Sequence, residues 1–163
     1  MTLSSPDPRK HVHTRIVESQ GFQRDDGMWD IETTLRDTKT YEVPNEWRGP
    51  LSPGNPIHNM KVRLTIDDTF VVQKVEVSMV DTPFEICGNV GPAFQKLVGE
   101  KIGNGWNRLV RTKAGGTSGC THISEIMRTI GTVAFQTVYP LVRMEEEAIH
   151  AKTRPSVLNS CTA

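Results

Sequence analysis

Apolar and polar positions alternate with a period of two over the first half of the chain and recur with a helical period over the second. Residues 11–23 are rich in β-branched and polar side chains and read as a strand, and the Asp25-Asp26-Gly27 that follows is a hairpin turn signal. Residues 28–43 alternate, with Trp29, Ile31, Thr33 and Leu35 pointing one way and Asp30, Glu32, Thr34 and Arg36 the other. Residues 44–56 hold four prolines and two glycines and read as a loop. Alternation resumes over residues 57–66, with Met60, Val62, Leu64 and Ile66 on one face; Asp67-Asp68 turns the chain, and residues 70–80 are β-branched.

The character changes at Pro83. Short helices are expected over residues 92–98, with Phe94, Leu97 and Val98 as apolar positions, and over residues 106–111. A glycine-rich loop spans residues 114–119. Residues 121–139 carry the clearest helical stripe, Ile123, Ile126, Met127, Ile130, Val133, Ala134 and Val138. Pro140 should kink or end that helix, and residues 141–151 continue as a more charged one. The pattern predicts an α+β fold: an antiparallel sheet of about four strands from two long hairpins, followed by a C-terminal helical part packed on it.

The 163 residues fit a single α+β domain over residues 1–152, with residues 153–163 expected to be a disordered tail. Nineteen Lys and Arg balance nineteen Asp and Glu, which argues against nucleic acid as a partner. No apolar run is long enough for a membrane span, and no secretory leader pattern opens the chain. Three irregularly spaced cysteines, Cys87, Cys120 and Cys161, fit a reduced cytoplasmic protein better than a disulfide framework.

Candidate chemistry lies opposite the stripe of the long helix. His122, Glu125, Thr129, Thr132 and Gln136 fall within an arc of about 80°. His122 and Glu125, three apart, can touch, so Glu125 is expected to orient the imidazole for proton transfer, and its carboxylate should be paired with His122 or Arg15. Gly115 to Thr121 offers flexible backbone, a helix cap at Ser118 or Thr121, and the thiol of Cys120, a candidate nucleophile that also reads as a small buried side chain.

His58 shares strand parity with Met60, Val62, Leu64 and Ile66, and a histidine that starts an apolar stripe must find a partner. In the first hairpin, a two-residue turn at Asp26-Gly27 would set His13, Arg15 and Gln23 on one face with Asp30, Glu32 and Arg36. Trp29, Ile31, Leu35, Phe22 and Ile16 would then form the core face. A slip of one residue would reverse this. The polar set also fits an ordinary solvated face with cross-strand ion pairs. His13, His58, Cys120 and His122 could converge, but no C-x-x-C or H-x-x-x-H pairing accompanies them, so no metal is expected.

These segments resemble a bacterial family known as domain of unknown function 2889. The resemblance is carried by His13-Thr14-Arg15, Arg24-Asp25-Asp26-Gly27-Met28-Trp29-Asp30-Ile31-Glu32, Asp37-Thr38-Lys39, Pro56-Ile57-His58-Asn59-Met60 and Arg63-Leu64-Thr65-Ile66-Asp67. It continues through Gly103-Asn104-Gly105-Trp106, Gly119-Cys120-Thr121-His122-Ile123-Ser124-Glu125 and Ala134-Phe135-Gln136. The family pattern often has Asp where this chain has Asn59. The resemblance implies one recurrent set of polar motifs, with a site built from His13, Arg15, Glu32, His58, His122 and Glu125, and it implies small enzymes of bacterial aromatic and lignin-fragment catabolism.

The expectation is a cofactor-independent lyase that works by acid/base chemistry on a small aromatic or phenolic molecule. The catalytic set would be His122, Glu125 and His58: His122, oriented by Glu125, would move a proton, and His58 would be a second acid or base. Arg15, His13, Glu32, Cys120, Thr129, Gln136 and Trp106 would bind the substrate. The alternative is a non-catalytic small-molecule binder using the same polar pocket, with Trp29 and Trp106 helping to line it. A homodimer is expected from the uncovered sheet edges and an exposed Trp47.

Overall fold

The structure is a computed structural model that describes residues 3–149, with side chains through residue 142. The expected tail at 153–163, the boundary at 152 and Cys161 lie outside the described residues. Four strands, β1 (His13–Gln23), β2 (Trp29–Lys39), β3 (Pro56–Ile66) and β4 (Val72–Asp81), form one antiparallel sheet in the order β1-β2-β3-β4. Helices follow: α1 (Gly91–Phe94), α2 (Trp106–Ala114) and α3 (Thr121–Ile149), with short 3-10 turns between. The α+β order follows from the switch of period at Pro83.

One sheet face is the core. Trp29, Ile31, Leu35, Met60, Val62, Leu64 and Ile66 meet Ile123, Ile126, Met127, Ile130, Ala134 and Val138 of α3, all buried. The helix runs mainly over β1 and β2. Burying a large aliphatic side chain contributes about 1.5–3 kcal/mol, so this stripe holds α3, and with it the first turn that carries His122, over the sheet.

The first hairpin departs from expectation. Arg24 donates its N–H to the Met28 carbonyl, leaving a three-residue loop, Asp25-Asp26-Gly27, with Gly27 at φ 81°. Three-residue hairpins need a left-handed residue at that place, and glycine takes it without steric cost. The loop shifts the register by one: Gln23 pairs with Trp29, Arg15 with Asp37 and His13 with Lys39. Odd-numbered residues of β1 therefore lie on the core side. Ile16 and Phe22, expected in the core, are exposed on the outer face at 54% and 44%.

Pro140 does not end the long helix, which continues to Ile149. Of the expected apolar positions at 94, 97 and 98, Phe94 and Leu97 are buried and Val98 is 43% exposed. Neither Ser118 nor Thr121 caps α3: residues 116–118 form a 3-10 turn and the helix begins at Thr121.

Candidate functional site

One end of the sheet gathers the polar residues. The start of β1 brings His13 and Arg15, the end of β2 brings Asp37, the start of β3 brings His58, and the first turn of α3 brings His122 and Glu125. Between Asp37 and Thr38 the pairing with β3 shifts register, so a bulge lies beside Asp37 and His58. Bulges turn side chains out of strict alternation and commonly sit at sites.

Asp37 is the hub, 2% exposed. Its Oδ1 accepts from Arg15 Nε at 2.8 Å and from His13 Nε2 at 3.1 Å. Its Oδ2 accepts from Arg15 Nη2 at 2.7 Å and from His58 Nδ1 at 2.8 Å. An ionised carboxylate offers about four acceptor positions, and these four donors take them all. Burial opposes the charge, but the bonds from Arg15, His13 and His58 outweigh it and hold the carboxyl well below the usual carboxylate range.

An ionised Asp37 can only accept, so His58 must carry its proton on Nδ1. The other ring nitrogen, Nε2, then holds a lone pair. Burial lowers the pKa of His58, and the bond to Asp37 offsets this only in part. The ring of His122 lies 3.9 Å from that of His58, centroid to centroid. Burial, followed by His58 and Arg15, lowers the pKa of His122 as well. Two neutral imidazoles thus lie side by side, each able to accept a proton near neutral pH.

Arg15 also donates Nη1–H to Glu125 Oε2 at 2.6 Å. Three of its five N–H groups are thereby used and two remain. Glu125 therefore pairs with Arg15 and not with His122, and the orienting carboxylate belongs to Asp37 acting on His58. Cys120 Sγ lies 3.9 Å from His122 Nδ1. The glycine before it serves the fold: a Cβ at Gly119 would stand 1.8 Å from the Ala114 carbonyl oxygen, so the close approach there is between α2 and the start of α3.

Other expected members lie elsewhere. Glu32 falls on the outer sheet face, where it accepts from Arg63 Nε at 2.7 Å; the register slip placed Arg15 inside and left Glu32 outside. Trp106 is a core residue, 5% exposed, and its indole donates to the Met127 carbonyl at 2.7 Å. Trp29 is likewise buried at 4%. Thr129 Oγ1 is turned to the Glu125 backbone carbonyl. Gln136 is exposed and sits fourteen residues beyond His122, about 21 Å along the helix axis. Asn59 faces Asp81, to which it donates at 3.1 Å, outside the cluster.

Asp37 is the member that sequence reasoning missed, although it continues the buried alternation Trp29, Ile31, Thr33, Leu35. A charged residue ending an apolar stripe is the same signal that singled out His58.

Asp37, His58 and His122 offer ligand atoms that lie within 4.8 Å of one another. Two imidazoles and a carboxylate are suitable donors for a divalent metal. Here, however, a cation would have to displace a donor from Asp37 and share the carboxylate with the Arg15 charge.

The family described as "Protein of unknown function (DUF2889)" matches residues 13–136. The match covers more than half of the chain, and the chain belongs to this family. No curated protein and no solved structure matches it. No helix among the described residues is long and apolar enough to cross a membrane.

Proposed function

We propose that this DUF2889 protein is a cofactor-independent acid/base enzyme of lyase type that acts on a small aromatic or phenolic molecule, such as a lignin-derived fragment. The carrying observation is the Asp37–His58–His122 arrangement: an imidazole fixed by a buried carboxylate, with a second neutral imidazole 3.9 Å away and tilted against it. His58 Nε2 takes a proton from the substrate. The imidazolium so formed hands that proton to the neutral ring of His122, which delivers it to the departing oxygen as a carbon–oxygen bond breaks and a double bond forms, so that both rings end neutral. The elimination balances without an oxidant. The two spare N–H groups of Arg15 hold a phenolate or carboxylate oxygen at the open side of the cluster.

The test is turnover of a panel of lignin-derived phenolics by the purified protein and by His58→Ala and His122→Ala. Loss of activity in both variants is expected. No turnover of any compound, or full activity in either variant, removes this reading.

One observation favours a non-catalytic binder instead: every acceptor position of Asp37 is met from within the chain, and His13, Arg15 and Glu125 are each about a third exposed. A ligand recovered unchanged, with a raised melting temperature, would select binding over chemistry. The proposal includes a cytoplasmic homodimer, because β1 leaves a long sheet edge unpaired and Trp47 is 49% exposed. Light scattering that returns an 18.2 kDa particle at micromolar concentration would exclude the dimer.

A further inference from the structure

We propose that the cleft between α2 and the start of α3 binds a small molecule bearing at least two negative charges, as a phosphate monoester or a dicarboxylate does. The cleft is about 380 Å³ and is lined by Arg108 and Arg111 from α2 and by Arg128, Thr121 and Ser124 from α3. Val110, 1% exposed, contributes to its wall from the core side. None of the lining residues is acidic.

The three guanidiniums supply the charge. Of the six described arginines elsewhere, Arg15, Arg24, Arg48 and Arg63 reach a carboxylate, and Arg36 reaches the Gly54 carbonyl. Arg108, Arg111 and Arg128 make no side-chain hydrogen bond or ion pair among the described residues. The chain as a whole is charge-balanced, so a general basic excess does not explain three unpaired arginines around one hollow. Arg108 and Arg111 are three residues apart on α2, an arrangement in which like charges repel by a few tenths of a kcal/mol. An anion between them and Arg128 would relieve that repulsion and accept from planar forks suited to phosphate and carboxylate oxygens. The volume sits at the lower end of the range for small-molecule sites, about 300–1,000 Å³, which favours a metabolite-sized ligand over a polymer. Asn107 and the hydroxyls of Thr121 and Ser124 add neutral hydrogen-bonding groups at the same wall.

The site is separate from the histidine cluster, although Thr121 precedes His122. Its test therefore needs no turnover. The full chain is titrated calorimetrically with inorganic phosphate, phenyl phosphate and succinate, each against chloride at matched ionic strength. Saturable binding of phosphate, phenyl phosphate or succinate is expected, and whichever of them binds identifies the source of the anionic group. Arg108→Gln and Arg128→Gln should each weaken it about tenfold, while Arg36→Gln, on the outer sheet face, should not. Binding no stronger than that of chloride, or affinity unchanged in both cleft variants, overturns the proposal. Both variants change exposed side chains, and an unaltered melting temperature without ligand certifies that they are folded.

Discussion

The ring of His58 lies 3.9 Å from the ring of His122, with the two planes tilted by 36°. The residues are sixty-four positions apart in sequence, one at the start of β3 and the other in the first turn of α3. Both pKa values lie below 6.5, first because of burial; the charges of Arg15 and His13 lower that of His58 further, and those of His58 and Arg15 lower that of His122. Below about pH 6.5 the unfolded chain therefore binds more protons at these positions than the native one. Stability should be highest above 6.5 and fall as pH drops through the window beneath it. Asp37, lowered from 3.8, adds a further loss only below about that value. Melting curves between pH 8 and pH 5 should show a decline in the wild type and a shallower one in His58→Gln/His122→Gln. An equal slope in both would contradict the assignment. If the protein is an enzyme as proposed, its activity should persist at pH values where a free imidazole is already half protonated.

Replacing Asp37 with Asn keeps the shape and removes the charge. The amide presents N–H groups where the carboxylate accepted, so at least one donor among Arg15, His13 and His58 is left unmet. The expected cost is about 1–3 kcal/mol, read from urea unfolding. The second readout is the tautomer of His58. With Asp37 neutralised, Nδ1 is no longer held in its protonated form, and nitrogen chemical shifts of the ring should move toward a tautomer mixture. A stable variant with an unchanged His58 signal would show that Asp37 does not orient the ring.

Glu125 and Asp37 both bond to Arg15, yet they should matter very differently. The Glu125 pair is about a third exposed on both sides, and such pairs contribute about 0–1 kcal/mol. Glu125→Gln should stay within that range. Arg15→Gln strips two bonds from a carboxylate that water barely reaches, and it should cost about 1–3 kcal/mol. Denaturation midpoints of the two variants decide between this ranking and the equal effects expected if both pairs were solvent-screened.

Much of this arrangement was legible in the sequence, and its gaps have a common physical origin. The two hairpins, the α3 stripe and the His58 signal all follow from periodicity, which reports burial of a face directly. Which polar residues share that face depends on register, and register hinges on one residue in a turn. Asp25-Asp26-Gly27 accommodates a two-residue or a three-residue loop, and only the latter sets Arg15 opposite Asp37. Arg15 parted from Glu32 and moved to the core side for that reason alone. Glu125 needed a partner in either His122, three residues before it on the helix, or Arg15, and spacing along one element could not decide between them; the bond goes to Arg15. Trp106 was misread because a tryptophan after Gly103-Asn104-Gly105 carries no sign of which way its ring turns. Its 2.7 Å bond to the Met127 carbonyl is a tertiary fact.

The register also makes a steric prediction at Gly21. This glycine faces α3, and a Cβ built on it would stand 2.0 Å from Thr137 Oγ1, 2.5 Å from its Cγ2 and 2.7 Å from its Cβ. Thr137 is not free to swing away without loss, since its hydroxyl donates to the Val133 carbonyl at 2.8 Å. Even a rotated side chain leaves the Cβ contact, so Gly21→Ala must push β1 and α3 apart. Overpacking of this kind costs about 1–3 kcal/mol. The displaced strand is the one that carries His13 and Arg15, so the strain should reach the cluster as well as the core. Thr137→Ala removes the two shortest contacts and leaves the 2.7 Å one. The double variant Gly21→Ala/Thr137→Ala should therefore recover part of the stability lost by Gly21→Ala, but not all of it. A double-mutant cycle in urea measures the coupling directly. Full additivity would mean that residues 21 and 137 do not touch, and the odd-numbered face of β1 would then have to be reassigned.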